Sequence, residues 1–265
     1  MFINNIDPVL LNLGPLEIRY YGLIYALGFL LGYLFLLRRI KQKKFKLNRD
    51  ALDNYFLWLI ISVVIGARLF EILFFSWPYY SAHPLEMFMI WNGGLSFHGG
   101  LMGAVLVTLF FAKKYKLNFY DFADALVIPT ALALAFGRIA NFINSEHYGK
   151  IVDAVSTPWC VVYKRIDEFC RHPSQLYESL TNFLTFGVLL FYDSYSGKKN
   201  IYRKGTLFWM FILLYGVLRF IVNFYRDDPS YQIFFGISVG QWLSLIMVIS
   251  GLVFLWRINY YADKI

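Results

Sequence analysis

Residue types that hold metals or act as nucleophiles are few in this chain. Two cysteines and four histidines occur among 265 residues. The histidines, His83, His98, His147 and His172, show no paired metal-ligand spacing, so neither a metal nor any other cofactor is expected. Charge is sparse at 16% of residues, and the stretch from 76 to 94 has no lysine or arginine. The first dozen residues carry Asn4, Asn5 and Asp7 but no basic segment ahead of an apolar core. No cleavable signal peptide is therefore expected, and the first apolar run directs insertion. Ser96 lacks a Gly-x-Ser-x-Gly elbow, and His98, two residues on, points to a different side in either regular structure, which argues against a serine hydrolase centre.

Apolar residues are abundant: 58% of the chain is hydrophobic and 20% aromatic, more than a soluble domain of this length needs. A run of about 20 apolar residues spans a bilayer core of roughly 30 Å. Seven such runs are found, at approximately 18–38, 54–75, 95–112, 122–141, 175–192, 206–225 and 238–256. The expected fold is all-α, a polytopic membrane protein with seven transmembrane helices forming one integral membrane domain over residues 1–265. Residues 1–17 read as a small amphipathic cap.

The formal charge of +8 is banded rather than spread. Arg38, Arg39, Lys41, Lys43, Lys44, Lys46 and Arg49 follow the first run, Lys113, Lys114 and Lys116 the third, and Lys198, Lys199, Arg203 and Lys204 the fifth. Alternate basic loops are the mark of cytoplasmic segments. The N-terminus is thus expected outside and the C-terminus in the cytoplasm, with the loops at 76–94, 142–174 and 226–237 on the outer side. Orientation accounts for the charge, and no basic face interleaved with aromatics is present, so nucleic acid is not an expected partner.

Polar residues inside the apolar runs are the candidates for function. The stretch from 136 to 149 carries Arg138, Asn141, Asn144 and Glu146. An arginine at the centre of a spanning helix costs about 2.5 to 3.5 kcal/mol on insertion scales, so it is found chiefly where it faces a polar interior or a ligand; the other reading is a helix end whose arginine snorkels to the interface. If the helix continues past Pro129, Arg138, Asn141 and Ser145 share one face. Arg219, Asn223 and Arg226 stand at i, i+4 and i+7 and read as a single polar stripe. Arg68 and Glu71, three apart, read as a charge pair. Around His98, glycines that include Gly99 and Gly100 admit two readings: small-residue helix packing with a hydrogen-bonded core histidine, or close approach of a ligand to a proton-transferring one. Tyr21 is either an interfacial anchor or a substrate contact. Ser174 reads as a helix N-cap and Gln241 as interhelical glue. Cys160 and Cys170 share the long outer loop, where they form a disulfide or remain buried thiols.

Stretches around residues 20, 98, 138, 171 and 219 all fall at the outer end of the bundle. A transporter places its polar groups near the midplane in two related halves, and no internal repeat is found. A pocket at headgroup depth with at least two arginines suits an anion, and the anion at that depth is a phospholipid headgroup.

Tyr20-Tyr21-Gly22, SFHGGL at 96–101, GRIANFINSEHYG at 137–149, RHPSQLYE at 171–178, YGVLRFIVNFYRDDP at 215–229 and Gly240-Gln241, in that order, resemble the prolipoprotein diacylglyceryl transferase family over nearly the whole chain. The resemblance implies a bacterial inner-membrane enzyme whose active site faces the periplasmic side. It implies transfer of the diacylglyceryl group of phosphatidylglycerol to the lipobox cysteine thiol of a preprolipoprotein signal peptide, with release of glycerol phosphate. The family's important positions fall on Tyr21, His98, Arg138, Asn141, Glu146, Gly149 and Arg219. We expect His98, Arg138 and Arg219 to be catalytic, and Tyr21, Gly99, Gly100, Asn141, Glu146, Gly149 and Arg226 to bind substrate. Family members often carry an acidic residue where Asn223 stands here.

Overall fold

The computed structural model describes residues 1–13, 16–199, 201–229 and 232–262. All seven expected apolar runs are helical. In chain order the helices are α1 (Tyr20–Lys41), α2 (Arg49–Phe70), the short α3 (Trp77–Ala82), α4 (Phe97–Lys114), α5 (Phe119–Ile143), α6 (Ser174–Lys199), α7 (Thr206–Asn223) and α8 (Val239–Ala262). Five are long and apolar enough to cross a membrane: α1, α2 with its π-helical continuation to Phe75, α5, α7 and α8. The other two long helices are diluted by polar groups. α6 buries Ser174, Gln175, Glu178, Ser179, Asn182 and Thr185 along one face, while α4 opens with His98 and ends in Lys113 and Lys114.

The chain divides into two compact units, one of Tyr33–Phe122 and a larger one of Met1–Gly32 with Ala123–Ile265. In the first, α2 and α4 touch backbone to backbone. A Cβ on Gly66 would come within 2.5 Å of the Gly99 carbonyl oxygen, and one on Gly103 would collide with that of Ser62. Small residues permit this approach, in which dispersion and lipid release hold helices together in a bilayer. Arg68 corrects the expected charge pair. Its guanidinium is buried and donates to the carbonyl oxygens of Glu86, Met87, Met89, Gly93 and Gly94 at 2.5 to 3.3 Å, while Glu71 accepts from Ser76 at 2.9 Å. Loop carbonyls brought in from far along the chain outcompete the near neighbour.

In the larger unit, the described residues ahead of α1 contain three strands in place of the expected amphipathic cap. β1 (Phe2–Asn4) pairs in parallel with β4 (Val161–Tyr163), which pairs antiparallel with β5 (Cys170–Arg171); β2 (Val9–Leu13) and β3 (Leu16–Arg19) make a hairpin. Cys160 and Cys170 are joined in a disulfide with their Cα atoms 5.5 Å apart. Asn4 is fully buried and its amide donates to the Phe142 carbonyl at 2.6 Å, tying the sheet to the end of α5. At the far end of α7, the Asp124 carboxylate accepts from the backbone amides of Gly205 and Phe208 at 2.5 and 2.7 Å, satisfying donors that a helix start leaves open. A last hairpin, β6 (Ile233–Phe234) with β7 (Ile237–Ser238), leads into α8. There Gln241 returns to the Ser238 amide at 2.9 Å and the Ser238 hydroxyl accepts from the Gln241 amide at 3.2 Å. That is a capping box, so Gln241 serves its own helix start rather than gluing two helices.

Candidate active site

The centre of the site is Glu178, one turn into α6 and buried. Its carboxylate gathers three guanidiniums. Arg138 from α5 reaches Oε2 at 2.6 Å, while Arg219 from α7 and Arg226 from beyond that helix meet on Oε1, the latter at 2.9 Å. Arg226 also pairs with Asp228 at 3.1 Å, and the Asn223 amide donates to the other oxygen of Asp228 at 3.1 Å. Bringing so many charges out of water is favourable only when they are paired and hydrogen-bonded together.

How α5 ends decides what else joins. The helix runs unbroken through Pro129 to Ile143. Ser145 then takes a left-handed φ of 59° and the Glu146 amide turns back to the Asn141 carbonyl at 2.9 Å, as in a Schellman C-cap. Arg138 and Asn141 do share a face, with the guanidinium donating to the Asn141 amide oxygen at 3.1 Å. Ser145 lies past the helix end, so it leaves the face that its spacing assigns it. The turn instead presents Glu146, which accepts from Asn141 at 2.9 Å and from Asn144 at 3.2 Å. Tyr21 stands at the start of α1, its hydroxyl 3.2 Å from that of Tyr25.

The expected stripe on α7 is likewise reshaped. The helix stops at Asn223, which turns its amide to Ser238 at 2.6 Å. Arg226 reaches Glu178 because its backbone forms an antiparallel bridge with Gly149. Gly149 is wedged between two chain segments, where a Cβ would lie 2.5 Å from both the His172 and Tyr225 carbonyl oxygens. Gly149→Ala is therefore expected to lower stability by about 1 to 3 kcal/mol, read as a lower melting temperature in detergent; an unchanged melt contradicts the tight junction. Arg171 secures the same region through Asp167 at 2.6 Å and Asp227 at 2.8 Å, and its hydrogen bond holds the Asp167 carboxyl below the usual carboxylate range. Ser174 begins α6 itself and donates its hydroxyl to the His147 carbonyl at 2.8 Å, so it braces this loop instead of capping the helix.

Seven of the ten expected site residues, Tyr21, Arg138, Asn141, Glu146, Gly149, Arg219 and Arg226, thus fall in the larger unit, and all of these but Tyr21 are joined in one network. His98, Gly99 and Gly100 belong to the other unit. Gly99 faces the backbone of Gly66 on α2, and Gly100 lies 3.4 Å from Val63 when given a Cβ. The His98 ring is exposed, lies near the rings of Phe70 and Phe97, and makes no hydrogen bond among the described residues.

Residues outside the expected set also belong to the network, among them Glu178, Asp228 and His147. A signal for Glu178 was available, because several arginines at bilayer depth require a carboxylate and Glu178 lies on a helix face otherwise apolar or neutral. His147, at a left-handed φ of 55°, has its Nδ1 3.4 Å from Arg226. Loss of solvent around the ring, followed by the charges of Arg226 and Arg138, holds this histidine below its ordinary range, so it is neutral near pH 7.

Fold and site together define a helical membrane protein built around a buried, carboxylate-linked arginine centre. The chain belongs to the prolipoprotein diacylglyceryl transferase family, which it matches over residues 8–257. Among its relatives, a phosphatidylglycerol–prolipoprotein diacylglyceryl transferase of Geobacter sulfurreducens is 39% identical over 94% of each chain. The enzyme of the same name from Bordetella parapertussis is 41% identical over 93% of each, and that from Nitrosomonas europaea 40% identical over 97% of this chain and 92% of its own.

Proposed function

We propose that this chain is a phosphatidylglycerol–prolipoprotein diacylglyceryl transferase that works as one integral membrane domain of the bacterial inner membrane. The observation that carries the reading is the Arg138–Glu178–Arg219–Arg226 centre inside a chain of that family. Seven spans, with the N-terminus outside and the site facing the periplasm, follow from the alternation of basic loops together with helices at all seven apolar runs. The substrates are a phosphatidylglycerol of the surrounding bilayer and the lipobox cysteine of a preprolipoprotein.

In the reaction, the cysteine thiolate attacks the glyceryl carbon that bears the phosphodiester oxygen. A carbon–sulfur bond forms, the carbon–oxygen bond breaks with its electron pair going to oxygen, and glycerol phosphate leaves. Three guanidiniums are ion-paired with two carboxylates, Glu178 and Asp228, so that set retains one positive charge, which matches the single negative charge of a phosphodiester. Charge on the phosphate grows as the bond breaks, and fixed cations that hold the developing dianion more tightly than the diester lower the barrier. Arg138 and Arg219 take this task. Asn141, Glu146 and Tyr21 orient the arginines or the headgroup, and Gly149 sets the backbone of Arg226.

The thiol, with an ordinary pKa of about 8.5, must first lose its proton. His98 is the assigned base, supported by an exposed imidazole with no hydrogen-bond partner among the described residues. His98→Asn is expected to lower kcat by about 10²- to 10⁴-fold and to remove one limb of the pH–rate profile; if the profile keeps its shape, the field of the arginines ionises the thiol instead. The function itself is tested by incubating purified protein with phosphatidylglycerol and a lipobox peptide. A peptide mass gain of one diacylglyceryl group with stoichiometric glycerol phosphate supports it, and a folded, lipid-supplied protein that forms no adduct refutes it.

A further inference from the structure

Beside the arginine centre, a small cavity opens between α6 and α7. It is lined by Glu178, Thr181, Asn182, Thr185, Tyr215, Leu218 and Arg219 and measures about 10 Å³, room for one water-sized group. Asn182 is buried, and its amide nitrogen donates to the Glu178 carbonyl at 2.7 Å. Its amide oxygen is buried with no partner. The neighbouring threonine hydroxyls do not supply one, because Thr181 donates to the Glu178 carbonyl and Thr185 to the Thr181 carbonyl, each at 2.9 Å, and the Tyr215 phenol that also lines the cavity makes no hydrogen bond to it. A buried acceptor left unmatched is destabilising, so this cavity is shaped for a hydrogen-bond donor from outside the chain.

We propose that the cavity is a subsite for a hydroxyl of the phosphatidylglycerol headgroup, with the Asn182 amide oxygen as its acceptor. The inference rests on the transferase reading and extends it to substrate selection. In-line displacement supports the placement. The leaving group must lie on the side of the reacting carbon away from the incoming sulfur, so a phosphate on Arg219 directs its glycerol into the protein and leaves the carbon open to the peptide. A donor reaching past the phosphate then meets Asn182, which sits four residues along α6 from Glu178.

The test deletes each partner of this hydrogen bond in turn. Transfer from phosphatidylglycerol is compared with transfer from phosphatidylpropanol, whose headgroup has no hydroxyl, in the wild type, Asn182→Leu and Asn182→Ser. The wild type is expected to prefer phosphatidylglycerol about tenfold in kcat/KM, the scale set by leaving a buried polar group unpaired, and both variants to reduce that preference to near unity. The preference is a ratio within one preparation, so partial misfolding of a variant does not alter it. A wild type that uses the two lipids equally, or variants that lose both activities in parallel, overturns the subsite and leaves the cavity to a resident water. A folded wild type that transfers from neither lipid brings down the transferase reading and the subsite with it.

Discussion

Glu178→Gln is expected to destabilise the protein by about 3 to 5 kcal/mol, the scale for removing one partner from a buried ion pair, and to bring transfer below detection. The carboxylate is the common partner of Arg138, Arg219 and Arg226. An amide of the same shape offers them no charge, and of the two carboxylates ion-paired with them only Asp228, on Arg226, remains. The guanidiniums must then withdraw toward water or stay buried unpaired. Glu178→Asp keeps the charge on a shorter arm and should recover part of the melting temperature. A Gln variant that melts and turns over as the wild type does would show that Glu178 is not the hub.

Arg138→Gln should behave differently. This arginine alone uses Oε2, at 2.6 Å, whereas Arg219 and Arg226 converge on Oε1; its loss leaves Glu178 with two cationic partners, and the fold survives. The expected effect is on chemistry: kcat falls by about 10²- to 10³-fold, as when one donor to a developing oxyanion is lost, with a smaller change in KM for phosphatidylglycerol. Folded protein with near-normal turnover would remove Arg138 from the reaction. Read together, the two variants separate the residue that assembles the centre from one that acts on the leaving phosphate.

Several features could be read locally. Apolar runs mark helices because every backbone group in a bilayer must bond within its own segment, and each run is helical. The Arg138–Asn141 contact follows from a three-residue spacing on one helix. Where spacing misleads, a helix has ended: Ser145 and Arg226 both lie beyond the last helical turn, and there periodicity carries no information. The Arg68–Glu71 pairing fails for a related reason, since carbonyls up to 26 residues away satisfy the guanidinium first.

By itself, the sequence determined that this is a helical membrane protein of the transferase family, and which arginines and amides are costly enough in lipid to require a purpose. Only the tertiary structure decided that Glu178 joins three of those arginines, that the bridge from Gly149 delivers Arg226, that Cys160 and Cys170 are bonded, and that Asn182 keeps an unmatched oxygen beside the centre. Burial cost belongs to each residue separately and is legible one position at a time. Pairing depends on which chain ends and helix faces meet across more than 40 residues, as Glu178 and Arg219 do, and that is settled only when the chain has folded.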